Sequence, residues 1–242
     1  MNAELMGFRI DNYNFDDGVN KALELACADK VSQIITINPE MIEYALKNEN
    51  FAKIIHNAEM VIPDGIGIKI GLKLNGYNIQ RLPGIDFAYK LLEEGSKRNL
   101  PVAIIGAKEE IIANAVQQLN DKIHGLNIIY YHNGYFDNDS NIYNELREKS
   151  PKIVLVAMGS PRQEEFINNA RNYLPPCLMI GIGGSLDVWS GNVKRAPSVF
   201  RKLGLEWLYR TICQPERFKR IFPALPLFLF KAICYKYKNR SL

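Results

Sequence analysis

The sequence predicts an α/β fold, a doubly wound and mainly parallel sheet followed by a basic helical C-terminal appendage. Three observations lead there. Short apolar runs alternate with helical patterns as far as Ser190. Most of those runs are continuously apolar, as strands covered on both faces should be. The charge is also unevenly divided. Residues 192–242 hold twelve Lys/Arg against two Asp/Glu, a net +10, whereas the rest hold eighteen against twenty-four, a net −6. A mildly acidic body over residues 1–191 and a strongly basic appendage over residues 192–242 are therefore expected. With 242 residues, 47% hydrophobic and 23% charged, the chain can bury one substantial core and is not disordered.

Taken in order, residues 1–10 read as a first strand, with no basic–apolar–small-residue export signal, so a cytoplasmic location is expected. The runs "VSQIITIN" (31–38), "EMVIPD" (59–64), "PVAIIGA" (101–107), "LNIIYYHNGYF" (126–136), "KIVLVAMGS" (152–160) and "CLMIGIGG" (177–184) read as strands. Helical patterns occupy 84–99, 108–125 and 162–174; in the second, Ile111, Ile112, Ala115, Val116 and Leu119 form one stripe that stops at Gly125. Residues 190–220 read as a basic, aromatic helix interrupted at Pro215. Residues 221–240 hold an apolar stretch too short to span a bilayer and read as a surface-seeking amphipathic segment. The four cysteines are scattered and suit a reducing compartment.

In a doubly wound sheet, ligands sit outside the carboxyl ends of the strands. Thr36, Asn38, Asp64, Gly106, Ser160 and Gly183 fall at those ends, with Gln163 and Glu164 just beyond. The stretch "VIPDGIG" (61–67) is the most pointed case, an apolar run ending on a carboxylate, Asp64, between a proline and Gly65 and Gly67. "GIGIKIG" (65–71) has GxGxxxG spacing and follows a late strand, which weighs against a nicotinamide dinucleotide site. The "DND" triplet (137–139) could grip a metal on a diphosphate, but its setting favours Asp139 or Ser140 as a helix N-cap. His56 and His132 lack a partnered acid and suit structural or surface roles. Arg210, Arg217 and Arg220 share neighbouring azimuths on a continuous helix. With Arg195 they suit diphosphate recognition, while Trp207, Tyr209 and Phe218 beside them also fit a membrane-facing helix.

The stretches "TINPEM" (36–41), "IPDGIGI" (62–68), "RLPGIDF" (81–87), "GSPRQEEF" (159–166), "GIGGSLDVWSG" (181–191), "KRAP" (194–197) and "GLEWLYRTICQPERFKR" (204–220) resemble the TagA/WecG/CpsF glycosyltransferases of bacterial cell-envelope polysaccharide assembly. The resemblance covers nearly the whole chain in the family's order. It implies a Rossmann-like body and inverting, metal-independent transfer from a UDP-sugar to GlcNAc on undecaprenyl diphosphate. The donor it implies first is UDP-N-acetylmannosamine, for a teichoic acid linkage unit; a uronic acid or hexose donor for other envelope polymers is the alternative.

By the same resemblance, Asp64 is the base and Thr36 and Asn38 its companions. Arg81, Gln163, Arg210, Arg217 and Arg220 bind substrate, and Gly65, Gly106, Glu164, Gly183, Gly184, Asp187 and Arg195 join them as substrate-site candidates. No cofactor or metal is implied. The partners are the UDP-sugar, the polyprenyl-diphosphate acceptor and the anionic inner leaflet, with no nucleic acid; self-association is compatible with this reading. Two other classes would also explain parts of the sequence, a nicotinamide-dependent oxidoreductase and a nucleic-acid-binding protein using the basic tail as its arm.

Overall fold

The computed structural model describes residues 2–202, 204–213 and 218–240. The chain opens with a hairpin of β1 (Ala3–Leu5) and β2 (Phe8–Ile10), where a single strand was expected. Met6 and Gly7 both take positive φ and turn the chain, a geometry that the apolar look of residues 1–10 conceals. After α1 (Phe15–Ala26) come β3 (Ser32–Ile37), α2 (Pro39–Ala45), α3 (Glu49–Asn57), β4 (Met60–Pro63), α4 (Gly65–Leu74) and α5 (Gly84–Lys97). The second half runs β5 (Val102–Gly106), α6 (Glu109–Lys122), β6 (Ile128–His132), α7 (Asp139–Lys149), β7 (Ile153–Ala157), α8 (Arg162–Ala170), β8 (Leu178–Gly181) and α9 (Ser185–Trp189). The C-terminal segment holds α10 (Ser198–Lys202), α11 (Glu206–Cys213) and α12 (Phe218–Arg240).

Among the described residues the main sheet has six strands in the order β4-β3-β8-β7-β5-β6, every neighbouring pair parallel. The continuous apolar runs split by alternation. Ile34, Ile62, Ile104, Leu155 and Ile180 face a layer built from α1, α5, α6 and α9. On the other face, Ile35, Ile37 and Val61 pack with α2, α3, α4 and α12, and Ala103, Ile105, Val154, Val156 and Met179 with α7 and α8. Both faces are covered, which is why β4, β5, β7 and β8 are apolar throughout.

The hairpin closes the β4 side. Asp11 donates its backbone N–H to the Val61 carbonyl and accepts the Val61 N–H on its carboxylate, at 2.9 and 2.8 Å. A side chain thus continues the ladder where another strand could have added. In the opposite half, Asn138 caps α7 by accepting from Ser140 N–H, so the cap lies one residue before the expected Asp139. His56 stacks on Phe8 with ring centroids 5.2 Å apart, and His132 Nδ1 lies 2.8 Å from the Asn133 carbonyl; neither lines the cavity described below.

The tail differs most from expectation. α12 contains both Pro223 and Pro226, and it buries Phe228 and Ala232 completely in the cluster shared by the hairpin, α2 and α4. Burying one phenylalanine is worth about 2–3 kcal/mol. The expected break at Pro215 lies outside the described residues. The tail approaches α4 at two glycine contacts. A Cβ on Gly67 would meet Pro39 Cγ at 2.6 Å and Leu225 Cδ1 at 2.7 Å; one on Gly204 would meet Ile66 Cδ1 at 2.9 Å. Gly204 also has φ +74, which L side chains rarely adopt.

An ion cluster ties the amino end of β4 to the end of α8. Arg171 forks onto Glu59 at 3.0 and 2.7 Å, Lys30 lies 3.1 Å away, and the Gln33 N–H donates to the same carboxylate at 2.8 Å. Burial alone would raise the Glu59 carboxyl, but these donors overcome it and hold the group at about 2. Its contribution is complete above the ordinary carboxylate range and disappears as the pH falls toward 2. Arg171→Met should cost about 3 kcal/mol in urea unfolding at pH 7, and the gap from wild type should narrow steadily below pH 5. Gly67→Ala should leave the sheet folded but loosen α12, seen as faster proteolysis confined to the tail.

Candidate active site

The carboxyl ends of β3, β4, β7 and β8 surround a cavity of about 400 Å³. It is lined by Thr36, Asn38, Asp64, Gly65 and Arg81, by the loop Ile182–Ser185 with Gln163, and on the tail side by Gly204, Glu206 and Trp207. The edge predicted from the strand ends is therefore the edge that holds the pocket.

Asp64 follows the last residue of β4 and is the N-cap of α4, accepting the Gly65 N–H on Oδ1 at 2.7 Å. The Gly84 backbone N–H also bonds the carboxyl, and a Cβ at Gly84 would press on Thr36 at 3.1 Å. A glycine there lets the start of α5 come close enough to donate. Exposed area leaves Asp64 half-buried, yet protein surrounds its carboxyl closely. Burial pushes its pKa up. The Gly65 and Gly84 N–H groups and the Arg81 charge pull it down, and Glu206 adds to the upward push. The net shift is upward, which makes the carboxylate a better proton acceptor than an exposed aspartate.

Thr36 donates to the Gly181 carbonyl at 3.4 Å, linking β3 to β8 under the cavity. Asn38 caps α2 by accepting the Met41 N–H at 3.0 Å, which fixes its side chain at the rim. Arg81 reaches the Arg201 carbonyl at 3.3 Å, so the loop before α5 and the tail meet beside the carboxylate. Gln163 is buried and accepts the Gly183 N–H at 3.0 Å, bracing the glycine loop.

Four of the expected substrate-site residues do not line the cavity. Gly106 serves packing between strand ends, since a Cβ there would meet the Ala157 carbonyl oxygen at 2.3 Å. Arg195 is paired with Asp86 at 2.6 Å, Asp187 is bonded by Asn192, and Glu164 is buried behind Gln163. Arg217 lies outside the described residues, as do the side chains of Arg210 and Arg220. Conversely, the structure adds Glu206 and Trp207 to the site. The indole N–H of Trp207 is buried and makes no hydrogen bond. Trp207, which also fitted a membrane-facing helix, is a cavity wall, while Tyr209 packs on Phe200. Glu206 left a signal in the sequence, as one of two acidic residues in the basic segment.

Comparison with known proteins agrees with this arrangement. The model of the glycosyl transferase WecG/TagA/CpsF family matches residues 3–242. An N-acetylglucosaminyldiphosphoundecaprenol N-acetyl-beta-D-mannosaminyltransferase of Bacillus subtilis (strain 168) is 36% identical over 194 residues, 79% of this chain and 76% of that protein. A protein of the same name from Staphylococcus aureus (strain NCTC 8325 / PS 47) is 32% identical over 210 residues, 86% of this chain and 82% of that one. With a match that takes in sheet, cavity and tail together, the chain belongs to the WecG/TagA/CpsF family of glycosyltransferases.

Proposed function

We propose that the enzyme transfers N-acetylmannosamine from UDP-N-acetylmannosamine to GlcNAc-diphosphoundecaprenol, with inversion, in assembly of a teichoic acid linkage unit. The relatives' names point to this sugar and acceptor. The observation that carries the mechanism is the Asp64 carboxyl, sheltered at a strand end and held by two backbone donors. In the reaction the acceptor hydroxyl oxygen attacks the anomeric carbon while the bond to UDP breaks. Asp64 takes the hydroxyl proton as attack develops. Thr36 and Asn38 orient the sugars, and Gln163 keeps Gly183 and Gly184 in place against the donor. Negative charge then accumulates on departing UDP. Arg81 meets it, joined in this reading by Arg210, Arg217 and Arg220 from the tail.

Residues 1–191 form the catalytic body in this reading, and residues 192–242 an appendage that both walls the site and docks on the inner leaflet. Among the described residues no helix is long and apolar enough to cross a membrane. α12 instead presents Leu227, Phe230, Ile233 and Tyr237 to solvent, each between 38% and 65% exposed, opposite its buried Phe228 and Ala232. That stripe and the basic charge suit an anionic interface, where each Lys or Arg near the surface contributes about 1 kcal/mol.

Asp64→Asn and Asp64→Ala should lower transfer by about 10²–10⁴-fold while UDP still raises the melting temperature. Wild-type activity should rise with pH along a limb above the usual aspartate range; near-normal turnover by either variant removes the base assignment. UDP protection also separates the readings, because a nucleic-acid arm would be indifferent to UDP and an oxidoreductase would respond to nicotinamide dinucleotide. Phe230→Glu should release the protein from anionic vesicles and leave UDP binding unchanged. Retained vesicle binding would remove α12 from the docking surface.

A further inference from the structure

Glu164 is a buried acid to which the transfer mechanism assigns no step. It sits in the first turn of α8, 2% exposed. Oε1 accepts the Gln163 Nε2 proton at 2.6 Å, and Oε2 is buried with no hydrogen-bond partner. The Ser160 hydroxyl, another group lining the cavity, lies close enough to act on the carboxyl. Among the described residues no cation is paired with it. The Gln163 amide in turn accepts the Gly183 N–H, and it fills the space over Gly181 so tightly that a Cβ there would lie 2.4 Å from Nε2. Glu164, Gln163 and Gly183 thus form a hydrogen-bonded chain from a buried carboxyl to the cavity wall.

We infer that Glu164 is a positioning residue that takes up a proton when the nucleotide diphosphate enters the cavity. The inference rests on the reading of the cavity as a UDP-sugar site. A diphosphate brings negative charge near a buried carboxylate that pairs with no cation among the described residues, and like charge in a desolvated place favours the neutral acid. A solvent proton bonds to Oε2, the oxygen without a partner, and no bond of the protein breaks. Oε1 continues to accept from Gln163, so the amide keeps its orientation and the Gly183 contact survives. The new O–H can donate to Ser160 Oγ, which turns the serine's own proton toward the incoming anion. Charge is neutralised without disturbing the wall.

Burial, opposed by the Gln163 bond and by the nearby Ser160 hydroxyl, already sets the Glu164 carboxyl at about 7, so little added field is needed. The surroundings offer few competitors. β7 and β8 are wholly apolar, and β3 contributes Gln33, whose Nε2 donates to the Glu164 carbonyl. α3 supplies Lys53, which shares an outer groove with Glu165, and Tyr143 of α7 donates to the Phe166 carbonyl. Arg162 stacks over Phe136. Among the described residues the titratable groups lining the cavity are Asp64, Glu40, Glu206 and Arg81.

Calorimetric titration of the full chain with UDP at pH 7, repeated in buffers of different ionisation enthalpy, counts the protons. Wild type should take up on the order of half a proton. Glu164→Gln should bind UDP with that uptake lost, whereas Asp64→Asn should retain it. In steady state, the wild-type KM for the donor should climb above pH 7, by up to about tenfold per unit, with kcat less affected, and Glu164→Gln should flatten the KM profile. A role in packing alone would move neither the proton count nor that profile. UDP binding to wild type with no proton change between pH 6 and 8 overturns the inference and leaves the functional reading standing. Uptake that persists in Glu164→Gln overturns it as well, and failure of UDP to bind at all overturns both.

Discussion

Two backbone N–H groups, from Gly65 and Gly84, hold one carboxyl where water reaches it poorly, and the rest of the site is arranged around that contact. A carboxylate in such a place needs donors. They come from the first turn of α4 and the start of α5, brought together over the end of β3. Gly84 must lack a Cβ to reach Asp64 past Thr36, and Gly67 must lack one to let α2 and the tail close over the same turn. The glycines around Asp64 therefore serve the approach of neighbours from both sides of the cavity.

The tail is structural and functional in the same stroke. Phe228 and Ala232 are as buried as any residue of the sheet, while Glu206 and Trp207 finish a wall that the body leaves open. Glu206 also pushes the Asp64 carboxyl upward, so a residue far along the chain tunes the central acid. Loosening the tail would thus alter the acid as well as expose it. Arg195, by contrast, is already paired with Asp86 of α5 and helps set where the tail begins its path.

The strands were legible because most are continuously apolar, and the site edge was legible because parallel sheets bind ligands at their carboxyl ends. Asp64, Thr36, Asn38, Arg81 and Gln163 come together there as the sequence suggested. What escaped depends on contacts between distant segments. No local pattern says that Arg195 is already paired, that Glu164 turns inward behind its neighbour, or that Trp207 faces a cavity. The hairpin escaped for a local reason, a turn built on Met6, whose side chain looks like strand. The helical tail was expected, but the burial of Phe228 and Ala232 against the hairpin escaped, because it depends on tertiary packing.

The hairpin at the start of the chain packs on the helix near its end, with Leu5 against Gly71 beside Phe228 and Glu4 against Tyr235. The hairpin must therefore wait for α12 to be made. At ribosomal speeds of ~5–20 residues per second, that interval is on the order of 10–45 s. During it the apolar side of the hairpin lacks its final cover and the pocket lacks a wall. A copy cut short before the tail would be left with a sticky hairpin and an open pocket.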